Sequence, residues 1–488
     1  MRSWIKSLLE RATRGRKKGG DMVSCDLVVR DGDVILPSRG LTTCDIAISD
    51  GRIAAVLAPG VACSAKEEVS ASGLVVFPGA VDAHLHLGHG RDIAQPRVAL
   101  DANQETAAAA RGGVTSFIPY VMATEPFDKI FPAILDVSHA GARIDFAYHF
   151  VISTEEQLAS VPKYVSDLGV STFKIFMNIR GGEGKRLGLT DIDDGFLLRL
   201  CEAAAASGGQ VCPHPETIEM SWPLRDRLMA KDPDGKGGLH AWNGSRPPFV
   251  EADAIQHAAY VAGVTGTRMY IVHVSSHEGL EAGLRQRRSG SRIAMETCPH
   301  YLTHDVTWNG GDIGKINPPL REAADVEALW KGVLDGHIDT IATDHVHRDA
   351  GSKEGGIWKG SPGCPGLETL LPVVLSEGHH KRGLPLSRVA DLVARNPARL
   401  MGLGDRKGVI EPSFDADLAF IDLNKMWTLE GSDTASSAGY SIYDGWKFKG
   451  EVVHTVVRGR WVLRDGALLD DAVGHGRYLH RQPFTSQI

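Results

Sequence analysis

The seven cysteines, at positions 25, 44, 63, 201, 212, 298 and 364, form no Cys-x-x-Cys pair and no dense cluster. Such scattering builds neither a disulfide framework nor a thiolate metal site, and it suits a reducing cytoplasm. An excess of positive charge is also missing. With 53 Lys and Arg against 60 Asp and Glu, the net charge is -7, which leaves no basic field for nucleic acid. No window of about 20 apolar residues occurs, so no membrane span is expected. Nor does any Gly-x-Gly-x-x-Gly follow a strand-like run, which disfavours a doubly wound dinucleotide fold.

What is present begins with a basic segment. In residues 1–20, Arg2, Lys6, Arg11, Arg14, Arg16, Lys17 and Lys18 stand against Glu10, with Trp4, Ile5, Leu8 and Leu9 able to form one short apolar face, and the extension is taken to run over residues 1–21. No apolar core and cleavage site of a signal peptide follow. A disordered extension is expected, with a membrane-surface helix as the lesser alternative.

The chain's 488 residues exceed what one hydrophobic core usually serves, so a large domain with a smaller one is expected. Leu27–Arg30 and Asp45–Ile53 alternate like half-buried strands, with hairpin turns read at Asp31-Gly32 and Asp50-Gly51. The same texture returns in Ala416–Ile421 and Val452–Arg460. The two ends therefore read as one small β-sheet domain, residues 22–74 with 404–470, followed by a tail over 471–488.

Between them, over residues 75–403, strands alternate with helices. An opening strand from Val75 to Leu87 is followed by Val114–Tyr120, Ile144–Ile152, Thr172–Met177, Gly209–His214, Met269–Ser275, Ile293–Tyr301 and Ile338–His345. Helical patterns separate them, among them Ala102–Arg111, Glu155–Leu168 and Phe196–Ser207. This order predicts an α/β fold, a closed (β/α)8 barrel of the TIM type.

The polar residues of these strands fall in one place. The opening strand ends in His84 and His86, which the two-residue period of a strand puts on one face. Lys174, His214, His273 and Asp344 each end an apolar run as well. In a barrel these positions share the C-terminal face, where active sites are built. A single histidine at a strand end is ordinarily a satisfied polar residue, and Asp344 alone could cap a helix. The whole set at one depth points to a divalent metal site.

Lys174 is the informative member, because an ammonium cannot ligate a cation, whereas an amine that has taken up carbon dioxide is an anionic carbamate able to bridge two metals. His84, His86 and Asp344 would complete one ion, and His214 with His273 the other. A hydroxide shared between them would be a nucleophile at neutral pH.

The pattern resembles the amidohydrolase superfamily, and within it the cyclic-amidase branch of dihydropyrimidinase, hydantoinase, allantoinase and dihydroorotase. The residues that carry the resemblance are Phe77-Pro78-Gly79-Ala80-Val81-Asp82-Ala83-His84-Leu85-His86, Phe173–Met177, Ile271–Ser276, Glu296-Thr297-Cys298-Pro299-His300-Tyr301-Leu302, Asn317-Pro318-Pro319-Leu320-Arg321 and Thr343-Asp344-His345. It implies N6-carboxylysine at Lys174, two divalent ions per chain, usually zinc with manganese, cobalt or nickel as alternatives, and a homotetramer or homodimer. The implied reaction is hydrolysis of a cyclic amide, with Asp344 as metal ligand and proton shuttle. Asn317, Pro362 and His300 are the substrate contacts it suggests.

The chain departs from the branch at three positions. Dihydropyrimidinases and hydantoinases carry a tyrosine five residues after the lysine, and Ile179 stands there. Hydantoinases place an asparagine at the position of Pro362, which has no N–H. Dihydroorotases carry an arginine two residues beyond the His-x-His, and here that residue is Gly88. The expected substrate is a hydantoin or dihydropyrimidine. The alternatives are an allantoinase-like, dihydroorotase-like or cyclic imide hydrolase, and, from another class, a non-catalytic scaffold of the dihydropyrimidinase-like type.

Overall fold

The computed structural model describes residues 24–37 and 39–484. The basic extension expected over residues 1–21 lies outside them, as do residues 485–488 of the expected tail.

The apolar run from Val75 to Leu87 is not one strand. It divides at Gly79, where a Cβ would stand 2.2 Å from Thr115 Oγ1, so the close approach of the next strand leaves room for glycine alone. Val75–Pro78 joins the terminal sheet, parallel to Ser24–Leu36 on one side and antiparallel to Leu418–Thr428 on the other. This short strand is the seam between the two chain ends. Ala80–His86 is the first barrel strand, β1, so the passage into the barrel falls at Gly79 rather than at residue 75.

The remaining barrel strands are β2 (Val114–Val121), β3 (Asp145–Phe146 with His149–Val151), β4 (Thr172–Phe176), β5 (Gln210–His214), β6 (Arg268–Ile271), β7 (Ile293–Thr297) and β8 (Thr340–Ile341 with His345–Val346). All pair in parallel. The two halves of β8 close the ring, since Thr340–Ile341 pairs with β7 and His345–Val346 with β1. The (β/α)8 barrel read from the sequence is the fold that forms. Helices including Ala99–Arg111, Asp194–Ser207, Pro248–Thr265 and Ala323–Leu334 cover it. The helix read over Glu155–Leu168 breaks into Glu155–Ala159 and Val161–Ser166, where Pro162 lacks an N–H for a continuous helix. Two more helices, Ile218–Lys231 and Gly238–Ser245, are inserted after β5 and bring Arg225 and Trp242 to the C-terminal rim.

In the terminal sheet, Asp50-Gly51 makes the two-residue turn, both residues at positive φ (+52° and +73°). Asp31-Gly32 does not turn the chain. It is a bulge inside Ser24–Leu36, with Asp31 at φ +55° and its N–H donated to Asp45 Oδ1 at 2.9 Å. Beyond Leu468 the chain returns to the barrel base. Leu479 N–H bonds Phe146 O, Phe484 N–H bonds Gly208 O, and the buried Arg481 donates to Thr172 Oγ1 at 2.9 Å. The segment expected as a tail is thus, as far as residue 484, a packed strap.

Barrel and sheet also meet through a buried ionic node. Lys407 Nζ lies 2.7 Å from Asp145 Oδ2 of β3, 2.6 Å from Asp417 and 3.1 Å from Asp415, and Arg458 Nε adds a 3.0 Å bond to Asp145. Burial alone would lower the lysine pKa, but the surrounding carboxylates hold it above its ordinary value. Lys407→Met should leave these carboxylates uncompensated and destabilise the fold by about 3–5 kcal/mol, read as a fall in the denaturant midpoint.

Candidate metal centre

Every side chain predicted to bind metal reaches one cavity of about 560 Å³ at the C-terminal ends of the strands. His84 and His86 leave β1 on the same face, Lys174 lies in β4, and His214 ends β5. His273 lies two residues beyond the end of β6, and Asp344 stands in the gap of the divided β8. The last two adopt left-handed backbone, at φ +42° and +47°. For residues other than glycine each such conformation costs on the order of 1–3 kcal/mol. It is held by specific bonds: His273 N–H to Glu296 Oε1 at 2.9 Å, and Asp344 N–H to His84 O at 2.8 Å.

The ring nitrogens are arranged in pairs. His84 Nδ1 donates to Glu296 Oε1 at 2.6 Å, which directs Nε2 toward Asp344 Oδ1 at 3.1 Å and Lys174 Nζ at 3.4 Å. His86 Nε2 is 3.6 Å from the same Asp344 oxygen. His214 Nε2 donates to Glu216 Oε2 at 2.7 Å, which leaves His214 Nδ1 facing His273 Nε2 at 2.9 Å. An imidazole with its proton on the carboxylate side presents a lone pair on the other. A lone pair aimed at a carboxylate repels it unless a proton or a cation stands between them. The donor atoms of His84, His86 and Asp344 lie within 4.8 Å of one another, a spacing that suits one divalent ion. His214 and His273 offer ring nitrogens for another.

Electrostatics agree with the geometry. Burial would raise the Asp344 carboxyl, but His84, His86 and Lys174 hold it below the ordinary range. Burial lowers Lys174 to about 8, with Asp344 and Glu296 resisting the shift. His86 and His273 are pushed down, first by burial.

Of the expected substrate contacts, Asn317 and Pro362 line the cavity, as does Ile179. His300 is not brought to the wall. Its short turn, Pro299–Leu302, packs the imidazole against Tyr301 at 4.2 Å between ring centroids, and the side chain is buried. Gly88 has no room for a side chain either, since a Cβ there would meet Asp92 O at 1.9 Å.

Several working residues escaped the sequence reading. Glu216 had a signal, two residues beyond His214, and Glu296 opened a motif already singled out. Tyr120 had none. Its ring lies under Lys174 Nζ at 4.4 Å and meets His84 edge-on at 4.9 Å, while its residue type and strand read as ordinary core.

The sequence pattern of the amidohydrolase family matches residues 269–462. An allantoinase of Escherichia coli O1:K1 / APEC is 32% identical over 448 residues, 90% of this chain and 95% of its own length. A D-hydantoinase crystal structure superposes with a TM-score of 0.84 at 28% identity, covering 94% of this chain and 99% of its own. A dihydropyrimidinase from Brevibacillus agri NCHU1002 does so with a TM-score of 0.85 at 26% identity, again over 94% and 99%. The chain belongs to the amidohydrolase family. Within that family its relatives and structural neighbours place it in the cyclic amidohydrolase branch, as a hydrolase of cyclic amides at C–N bonds other than peptide bonds.

One consequence concerns acid stability. Burial would raise the Glu216 carboxyl, but Arg246 at 2.7 Å and His214 outweigh it and hold the group at about 2, against 4.5 unperturbed. A carboxylate whose native pKa is depressed stabilises the fold above its unfolded value and loses that contribution as pH falls toward the native one. Glu216→Gln should therefore remove on the order of 3 kcal/mol at neutral pH and flatten the decline between pH 4.5 and 2 in a series of denaturant titrations.

Proposed function

We propose that the protein opens the ring of a small cyclic amide of the hydantoin or dihydropyrimidine type, using two divalent ions held by His84, His86, Lys174, His214, His273 and Asp344. The observation that carries this reading is the pairing of Glu296 with His84 and of Glu216 with His214, which leaves the opposite nitrogen of each ring facing the cavity. Lys174, as N6-carboxylysine, would bridge the ions. Its Nζ is buried beside His84, and among the described residues no carboxylate lies within 4.0 Å of it. Zinc is the proposed ion, and manganese, cobalt or nickel would suit the same donors.

Bound there, the two ions would polarise the ring carbonyl and ready a water for attack at neutral pH. Asp344 takes the proton of that water and passes it to the departing ring nitrogen, a role that suits a carboxylate set between His84 and His86. Asn317 meets the polar edge of the ring. Pro362 can accept a hydrogen bond there but not donate one, and Ile179 gives no hydroxyl to the carbonyl oxygen.

The allantoinase relatives favour a second reading, in which the ring is that of allantoin. The protein is proposed to act in the cytoplasm as a homodimer or homotetramer. Among the described residues no helix is long and apolar enough to cross a membrane. Phe249, Tyr260 and Val264 are exposed on Pro248–Thr265, apolar surface that a second copy could cover.

Metal-loaded protein should open at least one ring on a panel of dihydrouracil, hydantoin, 5-phenylhydantoin, allantoin, dihydroorotate and succinimide, with Asp344→Asn as the inactive control. Silence across the panel with two ions bound would count against these substrates. Lys174→Ala should lose the second ion and at least 100-fold in turnover. Two tightly bound metals per chain and full activity in that variant would disprove the carbamate assignment.

A further inference from the structure

Folding brings together two cysteines that lie 38 positions apart in the chain. Cys25, in Ser24–Leu36, is buried, and its Sγ stands 2.9 Å from Sγ of Cys63, which is partly exposed. Both thiols also approach Ser64 O, Cys25 at 3.3 Å and Cys63 at 3.8 Å. A disulfide closes at about 2.05 Å, so a movement of about 1 Å separates the pair from a bond. The other five cysteines are buried, which makes Cys63 the one that a dissolved reagent meets first.

The pair stands at the start of a weakly held strand. Among the described strands, Ser64–Ser70 pairs with Ser24–Leu36 alone, from Ser24 beside Ser64 to Arg30 beside Ser70, and none of its seven residues is fully buried. Its ion pairs, Lys66 with Asp26 at 2.8 Å, Glu68 with Arg30 at 3.1 Å and Glu67 with Arg464 at 2.9 Å, are open to water, where such pairs contribute little. A segment with so little apolar burial opens locally far more often than the core. Cys63 immediately precedes it, so a bond from Cys63 to Cys25 would pin its first residue.

We propose that Cys25 and Cys63 form a reversible disulfide, a redox-governed staple that locks Ser64–Ser70 onto Ser24–Leu36. The oxidant is a low-molecular-weight disulfide. The Cys63 thiolate attacks one of its sulfurs and the other leaves as a thiolate; Cys25, releasing its proton to water, then displaces the second thiolate from Cys63. One disulfide is consumed and one is formed, so two electrons pass from the cysteine pair to the reagent. Burial, then the hydrogen bond and the charge of Cys63, push the Cys25 thiol up to about 11, while Arg30 opposes them. Capping the Cys63 sulfur removes that charge, which favours the second displacement over the first. A bond of this kind is transient in a reducing cytoplasm and persists only under oxidative load. It holds whatever ring the protein opens.

Metal-loaded protein treated with oxidised glutathione, then freed of it by gel filtration, should lose two hydrogens of mass per chain, and peptide mapping without reductant should show Cys25 joined to Cys63. Amide hydrogen exchange over Ser64–Ser70 should slow by about tenfold, and a phosphine reductant should restore the original rate. Cys63→Ser, at a partly exposed position, should show neither change. Cys25→Ala should behave likewise, and the wild-type map decides the matter should that buried variant fail to fold. A glutathione adduct left standing on Cys63, a link between two chains, a bond joining other cysteines, or a Cys25–Cys63 bond that leaves exchange unchanged overturns the proposal.

Discussion

A single buried carboxylate holds the centre of this molecule together. Glu296, at the end of β7, accepts from His84 Nδ1 of β1, from His273 N–H beyond β6, and from the Tyr270 hydroxyl within β6, which in turn meets Thr340 Oγ1 of β8 at 2.6 Å. Placing a charge in a protein interior is costly unless its oxygens are saturated by donors, and here they are shared among strand ends that must converge. The same contacts set the proton of His84 on one nitrogen and support the left-handed turn at His273. The orientation of His84, the turn at His273 and the link from β6 through β7 to β8 therefore rest on one group.

Much of this could be read from the sequence, because the relevant signals are local. The two-residue period that puts His84 and His86 on one face, the alternation of apolar runs with helical patterns, and the β-texture at both ends each arise from neighbours along the chain. What escaped depends on partners far away in sequence. Gly79 divides its strand because of Thr115. Asp31-Gly32 reads like a hairpin turn, yet the Asp45 carboxylate stabilises it as a bulge. Glu296 finds His84 across 212 positions. His300 lies in a recognisable motif, and its ring packs against Tyr301 without joining the residues that line the cavity.

The two ends of the barrel do different work. At the C-terminal end, loops and inserted helices bring together the cavity, its wall and its charge. At the base, the returning strap and the Lys407 node fasten the terminal sheet to the strands. Separation of this kind lets one face vary in chemistry while the other preserves the ring.

The left-handed backbone at His273 and Asp344 has a consequence for anyone who would alter this scaffold. Conformational tension stored in two residues of the cavity makes them, with Asp31 and Asp50 of the terminal sheet, places where replacement by glycine relaxes the chain. A search guided by heat resistance alone would be drawn to them, and each success there would trade away the very contacts that distinguish an enzyme from a well-folded barrel.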